Sequence, residues 1–172
     1  MTELRFVHPN LRQLDLARAD VIACGVYEDQ RPMGGLAGLI DWRLAGLLSA
    51  LARRRFIVGA IGELVLVPAR PKLPFDKLLV VGLGPRSSFG EETFAAAFAR
   101  VARSLDGLAA KRAIVELPGR GDEAITPERA LALTLAGSQE VQREKMVLVE
   151  QDEARRRMAT FAEEEARRVR RG

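Results

Sequence analysis

Histidine, cysteine, tryptophan and tyrosine each occur once in the 172 residues, and aromatic residues make up only 5%. A lone histidine, His8, excludes a multi-histidine metal site, and a lone cysteine, Cys24, excludes an intramolecular disulfide. Cys24 sits inside the apolar run Val21-Ile22-Ala23-Cys24-Gly25-Val26, where a thiol reads as a small buried hydrophobe rather than a nucleophile. His8 closes a short alternating segment and reads as structural. No apolar stretch is long enough to cross a bilayer, because 36–51 and 58–67 are broken by charge or glycine. The opening Met-Thr-Glu-Leu-Arg-Phe has no secretory apolar region, so a cytoplasmic location and no membrane partner are expected. Strong charge is missing too: 27 Lys and Arg against 23 acids leave +4, a mild bias and not a nucleic-acid signature. Internal repeats and low-complexity linkers are absent. What remains, 48% apolar and 29% charged residues, is an ordinary globular composition sized for one core with an appendage.

The chain is organised around Lys77-Leu78-Leu79-Val80-Val81-Gly82-Leu83-Gly84-Pro85. Its unbroken apolar run predicts a strand buried on both faces, since a half-exposed strand would alternate with polar residues. Such a strand needs helices on both sides. A second buried strand is expected over 21–27, and an edge strand over 4–8, with the segment 11–16 left unassigned. From Gly34-Gly35 a single helix is predicted to run to Leu51 on the stripe Leu36, Ile40, Leu44, Leu47, Leu48 and Leu51, with Trp42 partly exposed. Residues 63–68 form a strand joined to the central one by a short proline-rich connection, so the two are expected to pair antiparallel.

A helix with Phe94, Phe98, Val101, Leu105 and Leu108 inward follows, then a strand over 113–117 ending in Pro118-Gly119-Arg120-Gly121. Thr126-Pro127 is a helix start, with threonine as N-cap and proline in the first turn, and Leu131, Leu135 and Val141 are expected inward. A last strand over 145–150 leads to a charged helix from Asp152, with Ala154, Met158, Phe161, Ala162 and Val169 on one face and the pairs Glu163/Arg167 and Glu164/Arg168 on the other. This order predicts an α/β fold, a three-layer α/β/α sandwich with a mixed central sheet. Residues 1–151 make the domain and 152–172 the C-terminal charged helix.

Taken together, Ala19-Asp20-Val21-Ile22, the helix from Gly34-Gly35, the segment from Arg55 to Glu63 with Gly59-Ala60-Ile61-Gly62-Glu63, and Val80-Val81-Gly82-Leu83-Gly84 resemble the N-terminal domain of the leucyl aminopeptidase (M17) family. The resemblance covers roughly residues 4–170 and implies a macro-domain-like fold. The final helix looks like the family's linker to its peptidase domain. That family holds two metal ions with a lysine and carboxylates of its C-terminal domain, including an Asn-Thr-Asp-Ala-Glu-Gly-Arg segment, and nothing like it occurs in this sequence. The resemblance therefore implies a non-catalytic chain that needs no cofactor.

Three roles follow. The first is a scaffold, regulatory or oligomerisation module that binds itself or a full-length or split aminopeptidase subunit, with Met158, Phe161 and Val169 as the contact stripe. The second is a macro-type binder of ADP-ribose or a related nucleotide. In macro domains the equivalent loops hold a diphosphate, which implies Gly34, Gly35, Gly84, Gly119 and Gly121, with Asp15 in the neighbourhood of an adenine-binding aspartate. Exposed N–H groups at a helix start suit an anion and glycine permits its approach, although glycines also simply make turns. The third is a DNA-binding accessory using Arg53-Arg54-Arg55 and the arginines of the last helix, disfavoured against helix-end charge complementarity and salt pairs.

Overall fold

The computed structural model describes residues 3–171. Its strands, β1 (Phe6–Val7), β2 (Val21–Val26), β3 (Leu64–Pro68), β4 (Lys77–Gly82), β5 (Ala113–Val115) and β6 (Met146–Val149), form one sheet in the order β1-β6-β5-β2-β4-β3. Every neighbouring pair is parallel except β3 and β4, which run antiparallel with Leu66 opposite Leu79. The sheet is thus mixed, as the proline-rich 69–76 connection implies. Pro68, with no N–H to offer a ladder, lies on the edge strand where none is required.

The helices are α1 (Leu11–Leu16), α2 (Gly35–Arg43), α3 (Leu47–Arg53), α4 (Glu91–Gly107), α5 (Pro127–Gly137), α6 (Glu140–Lys145) and α7 (Asp152–Arg171). Strand alternation divides the core in two. Val21, Ala23, Leu79, Val81, Ala113 and Val115 face α4, α5 and α7, while Ile22, Cys24, Val26, Leu78, Val80 and Ile114 face α1, α2 and α3. Side chains on both faces of the same strands are covered, so the three layers follow directly from the unbroken apolar runs.

The structure corrects the sequence reading at several points. The single helix expected from Gly34 to Leu51 is two helices meeting at a 107° bend. Ala45 and Gly46 both take positive φ there, at 56° and 81°. The bend is locked by Asp41, whose carboxylate accepts the Ser49 amide at 3.0 Å and the Ser49 hydroxyl, capping α3. Leu47 is consequently turned to the surface while Leu48 is fully buried. The segment 11–16 is a helix, started by Asn10 accepting the Gln13 amide at 2.8 Å. Thr126 caps α5 through the Arg129 amide, as its Thr-Pro sequence predicts. That helix stops at Gly137, however, and Val141 lies exposed on the separate α6. On α7 the Glu163–Arg167 pair forms at 3.7 Å, whereas Arg168 takes Glu165 at 2.9 Å instead of Glu164. Ala154 and Met158 of α7 are buried in the core, and Arg157 ties the helix to Glu128 of α5.

The loop 59–62 crosses β4 so closely that a Cβ at Gly82 would lie 1.9 Å from the Ala60 carbonyl oxygen. Backbone cannot yield as a flexible side chain does. Gly82→Ala is therefore expected to destabilise the protein by about 2 kcal/mol or more in urea denaturation. Gly107→Ala, in the last turn of α4 where an added Cβ meets open space, is the control that should not destabilise.

Candidate functional site

The carboxyl ends of β5, β2 and β4 come together beneath three loops, and this end of a parallel sheet is where α/β folds place their ligands. One loop follows Tyr27 and ends at Gly34, where α2 begins; another follows Gly82; the third follows Glu116 and carries Gly119, Arg120 and Gly121. At their meeting point lies a carboxylate. Glu116 extends from β5, its own amide bonded to the Ala23 carbonyl at 3.0 Å, and its Oε2 accepts the Leu36 amide at 2.8 Å in the first turn of α2. The glycines are fitted round it: a Cβ on Gly35 or on Gly121 would approach Glu116 Oε1 to 2.9 and 2.8 Å. Gly35 also has φ +55°, a conformation other residues adopt at a cost.

The roof is made by side chains from the neighbouring loops. Tyr27 donates its hydroxyl to Asp122 Oδ1 at 3.0 Å, and Arg86 donates to the other oxygen of Asp122. The Arg86 amide in turn donates to Asp29 at 3.0 Å. The Tyr27 and Phe89 rings meet edge to face at 5.8 Å, and Phe89 occupies the space a Cβ on Gly119 would need. What is left between Gly25, Gln30, Gly34, Leu83 and Glu116 is a cavity of about 10 Å³. That holds roughly one water molecule, against the several hundred Å³ of a typical small-molecule pocket.

The third loop is anchored from below by a buried ion pair. Arg120 grips Glu150 with two bonds, Nε to Oε1 at 2.6 Å and Nη2 to Oε2 at 3.0 Å, and donates a third to the Ile125 carbonyl at 2.6 Å. Both residues are less than a tenth exposed. Enclosure pushes the Glu116 carboxyl up to about 7; the Leu36 amide opposes this, Glu150 and Asp122 add to it, and Arg120 lowers it. The Tyr27 hydroxyl is raised by burial and by Asp122. Burial and the nearby Glu116 raise the Cys24 thiol, which keeps it protonated and unreactive.

Of the residues singled out from the sequence, Gly34, Gly35, Gly119 and Gly121 converge on this point. Gly84 lies beside it but serves a different contact: its amide donates to the Gly59 carbonyl and its α-carbon packs on Ile61. Asp15 is elsewhere. It pairs with Arg43 at the far end of α2 and lines a shallow surface hollow with Asp20, Arg70, Lys111 and Arg112, at the amino ends of the strands. The separation arises because α2 runs back along the sheet, carrying its two ends to opposite edges. Met158 is fully buried, Phe161 packs against the core, and Val169 is 78% exposed.

Glu116, Asp122, Arg120, Glu150 and Tyr27 were not anticipated. Glu116 alone left a trace, a charge at the end of the otherwise apolar Ala113-Ile114-Val115-Glu116-Leu117. Among the described residues there is no cluster of His, Cys, Asp and Glu able to hold a metal ion, and no single helix is long and apolar enough to cross a membrane.

A family model described as the N-terminal domain of the cytosol aminopeptidase family matches residues 23–142, well over half of the chain. The chain belongs to this family. A probable cytosol aminopeptidase of Halorhodospira halophila is 36% identical over 107 residues, covering 60% of this chain and 21% of that protein. The cytosol aminopeptidase of Pseudomonas aeruginosa is 30% identical over 119 residues, covering 67% and 23%. The chain thus spans less than a quarter of these relatives, and the part it matches is the N-terminal domain, not the catalytic one.

Solved structures agree on the fold. The macrodomain of Mycobacterium tuberculosis DarG superposes with a TM-score of 0.67 at 13% identity, covering 88% of this chain and 100% of that one. A tomato leucine aminopeptidase mutant gives 0.61 at 19%, covering 94% and 36%. This family member is macrodomain-like in architecture.

Two expectations follow for the closed end. Arg120→Ala strands a buried Glu150 carboxylate and should cost about 3–5 kcal/mol in urea denaturation, whereas the paired change Arg120→Met with Glu150→Leu recovers most of that loss. The Glu116 carboxyl titrates higher folded than unfolded, so the native state binds the extra proton between about pH 4.5 and 7. Its stabilisation is complete below that window and lost as pH rises through about 7, a fall on the order of 3 kcal/mol. Glu116→Gln should flatten that slope in denaturation curves taken across the window.

Proposed function

We propose that this chain is a non-catalytic contact module of the cytosol aminopeptidase family, and that the contact is made with a second copy through α7 and the edge of the sheet. The observation that carries this is a groove of about 1140 Å³ between β1 and α7, whose apolar part is formed by Leu4, Phe6, Leu135, Val147, Ala162 and Val169 and which also carries charged side chains such as Arg155, Glu163 and Arg170. Val169 stands on it almost uncovered. A groove of this kind on an otherwise charged helix marks an interaction surface. Met158 is committed to the core, so the usable part of the expected stripe is its carboxyl half, with Phe161 beneath and Val169 above.

Charge order supports a second copy as the occupant. Glu163, Glu164 and Glu165 precede Arg167, Arg168, Arg170 and Arg171 along α7. Two such helices packed antiparallel set each acidic block against the other copy's basic block, which is the isologous arrangement of a two-fold dimer.

The nucleotide role has less support, because a cavity of about 10 Å³ leaves no room for a diphosphate. The nucleic-acid role is weakened by the pairing of α7 arginines with Glu128, Glu163 and Glu165.

Light scattering with dilution tests the proposal. The native chain should show a dimer, and Val169→Glu should weaken self-association by about tenfold or more through an unpaired charge at the seam. A native monomer at all concentrations that also ignores an added full-length family aminopeptidase would end the proposal; binding only to the latter would replace the second copy with that subunit.

A further inference from the structure

We infer that the face at the amino ends of the strands is a docking surface for an anionic lipid bilayer, with Trp42 and Leu16 entering the headgroup layer and Arg18, Lys111 and Arg112 meeting lipid phosphates. This goes beyond the contact role and does not depend on it, since the hollow at this face shares only Arg112 with the groove beside α7. The sequence led to an expectation of no membrane partner because it has no spanning run and no secretory leader. A surface contact needs neither.

Asp20 builds the face. Its carbonyl accepts the Asp76 and Lys77 amides at 2.9 and 3.2 Å, and its own amide donates to the Arg112 carbonyl at 2.9 Å. Its Oδ2 accepts the amides of Lys111 and Arg112 at 2.6 and 3.2 Å. One residue thus fastens the starts of β2, β4 and β5 together, and its carboxylate is occupied by backbone. The neighbouring acids are engaged as well, Asp15 by Arg43 and Asp76 by Arg70. Arg18, Lys111 and Arg112 are left exposed around a shallow hollow of about 710 Å³, in no ion pair among the described residues.

Cations beyond helix carboxyl ends complement the helix dipole, which accounts for Arg18 after α1 and Lys111 after α4. It does not account for the apolar side chains set among them. Leu16, which lines the hollow, is 75% exposed, and Trp42, the chain's one tryptophan, is 73% exposed. Each is next in sequence to a member of the Arg43–Asp15 pair, which ties the carboxyl ends of α1 and α2 together and so sets the two side by side. A tryptophan ring favours the level of lipid headgroups, and an anionic leaflet attracts every nearby Lys and Arg. A nucleic-acid backbone would use the cations and leave Leu16 in water; a bilayer uses both.

The full chain tests this with vesicles of phosphatidylcholine alone and of phosphatidylcholine mixed with an equal part of phosphatidylglycerol, read by co-sedimentation and by Trp42 emission. The mixed vesicles should carry the chain down and shift the emission to shorter wavelength, with binding to the neutral ones about tenfold weaker or less. Arg18→Glu with Lys111→Glu, and separately Leu16→Ser with Trp42→Ser, should each weaken co-sedimentation by about tenfold. Arg103→Glu, an exposed cation on α4 in the opposite layer, should leave it unchanged. All of these side chains are exposed, so the variants keep the fold, checked by their urea midpoints. A native chain that ignores the mixed vesicles overturns the inference, as does binding without an emission shift, binding that survives the Leu16 and Trp42 changes, or an equal loss in Arg103→Glu. A duplex oligonucleotide bound by a chain that ignores vesicles would assign the face to nucleic acid instead.

Discussion

Strands β5, β2 and β4 carry apolar side chains on both faces, and the need to cover both dictates most of what surrounds them. One side is met by α4, α5 and α7 and the other by α1, α2 and α3. Because these strands are parallel, each must be followed by a crossover, and their carboxyl ends gather at one edge with their loops. The five-residue antiparallel β3, which ends in Pro68, forms one edge of the sheet and the two-residue β1 the other, so both edges are short.

At the gathered carboxyl ends, where α/β folds place their ligands, the protein has put charge. Two guanidiniums, three carboxylates and a tyrosine hydroxyl are drawn from loops far apart in sequence, and each acidic group has a named donor. Burial makes such networks demanding, since an unpaired member costs far more than a paired one returns. The closed state of this end is therefore a property of the whole set. The domain itself matches less than a quarter of the length of its relatives.

The last helix has two halves with different duties. Its amino half is part of the core through Ala154 and Met158 and is clamped to α5 by Arg157 and Glu128. Its carboxyl half lays Ala162 and Val169 along the groove beside β1 and presents blocks of opposite charge to solvent. A side chain at 158 and one at 169 lie on nearby faces by helical spacing, yet only the first has the rest of the protein against it.

Much of the architecture could be read in the sequence because apolar periodicity records burial directly. The uninterrupted 78–83 run, the Thr126-Pro127 start and the proline-rich turn between β3 and β4 each have a local physical cause, and each appears as expected. The family resemblance rests on such local pieces in order, and it holds. The break at Ala45-Gly46 was not legible, since the leucine stripe continues through it and only the Asp41 cap across the bend decides against one helix. Nor could spacing reveal that Asp15 and Gly34 lie at opposite ends of the sheet, or that Glu116, Arg120, Asp122 and Glu150 meet. The sequence by itself determined the layers, because hydrophobic burial is a sum over neighbours along each element. Only the tertiary structure decided that the carboxyl end of the sheet is shut, because that depends on which polar groups from separate loops share one small, poorly solvated space.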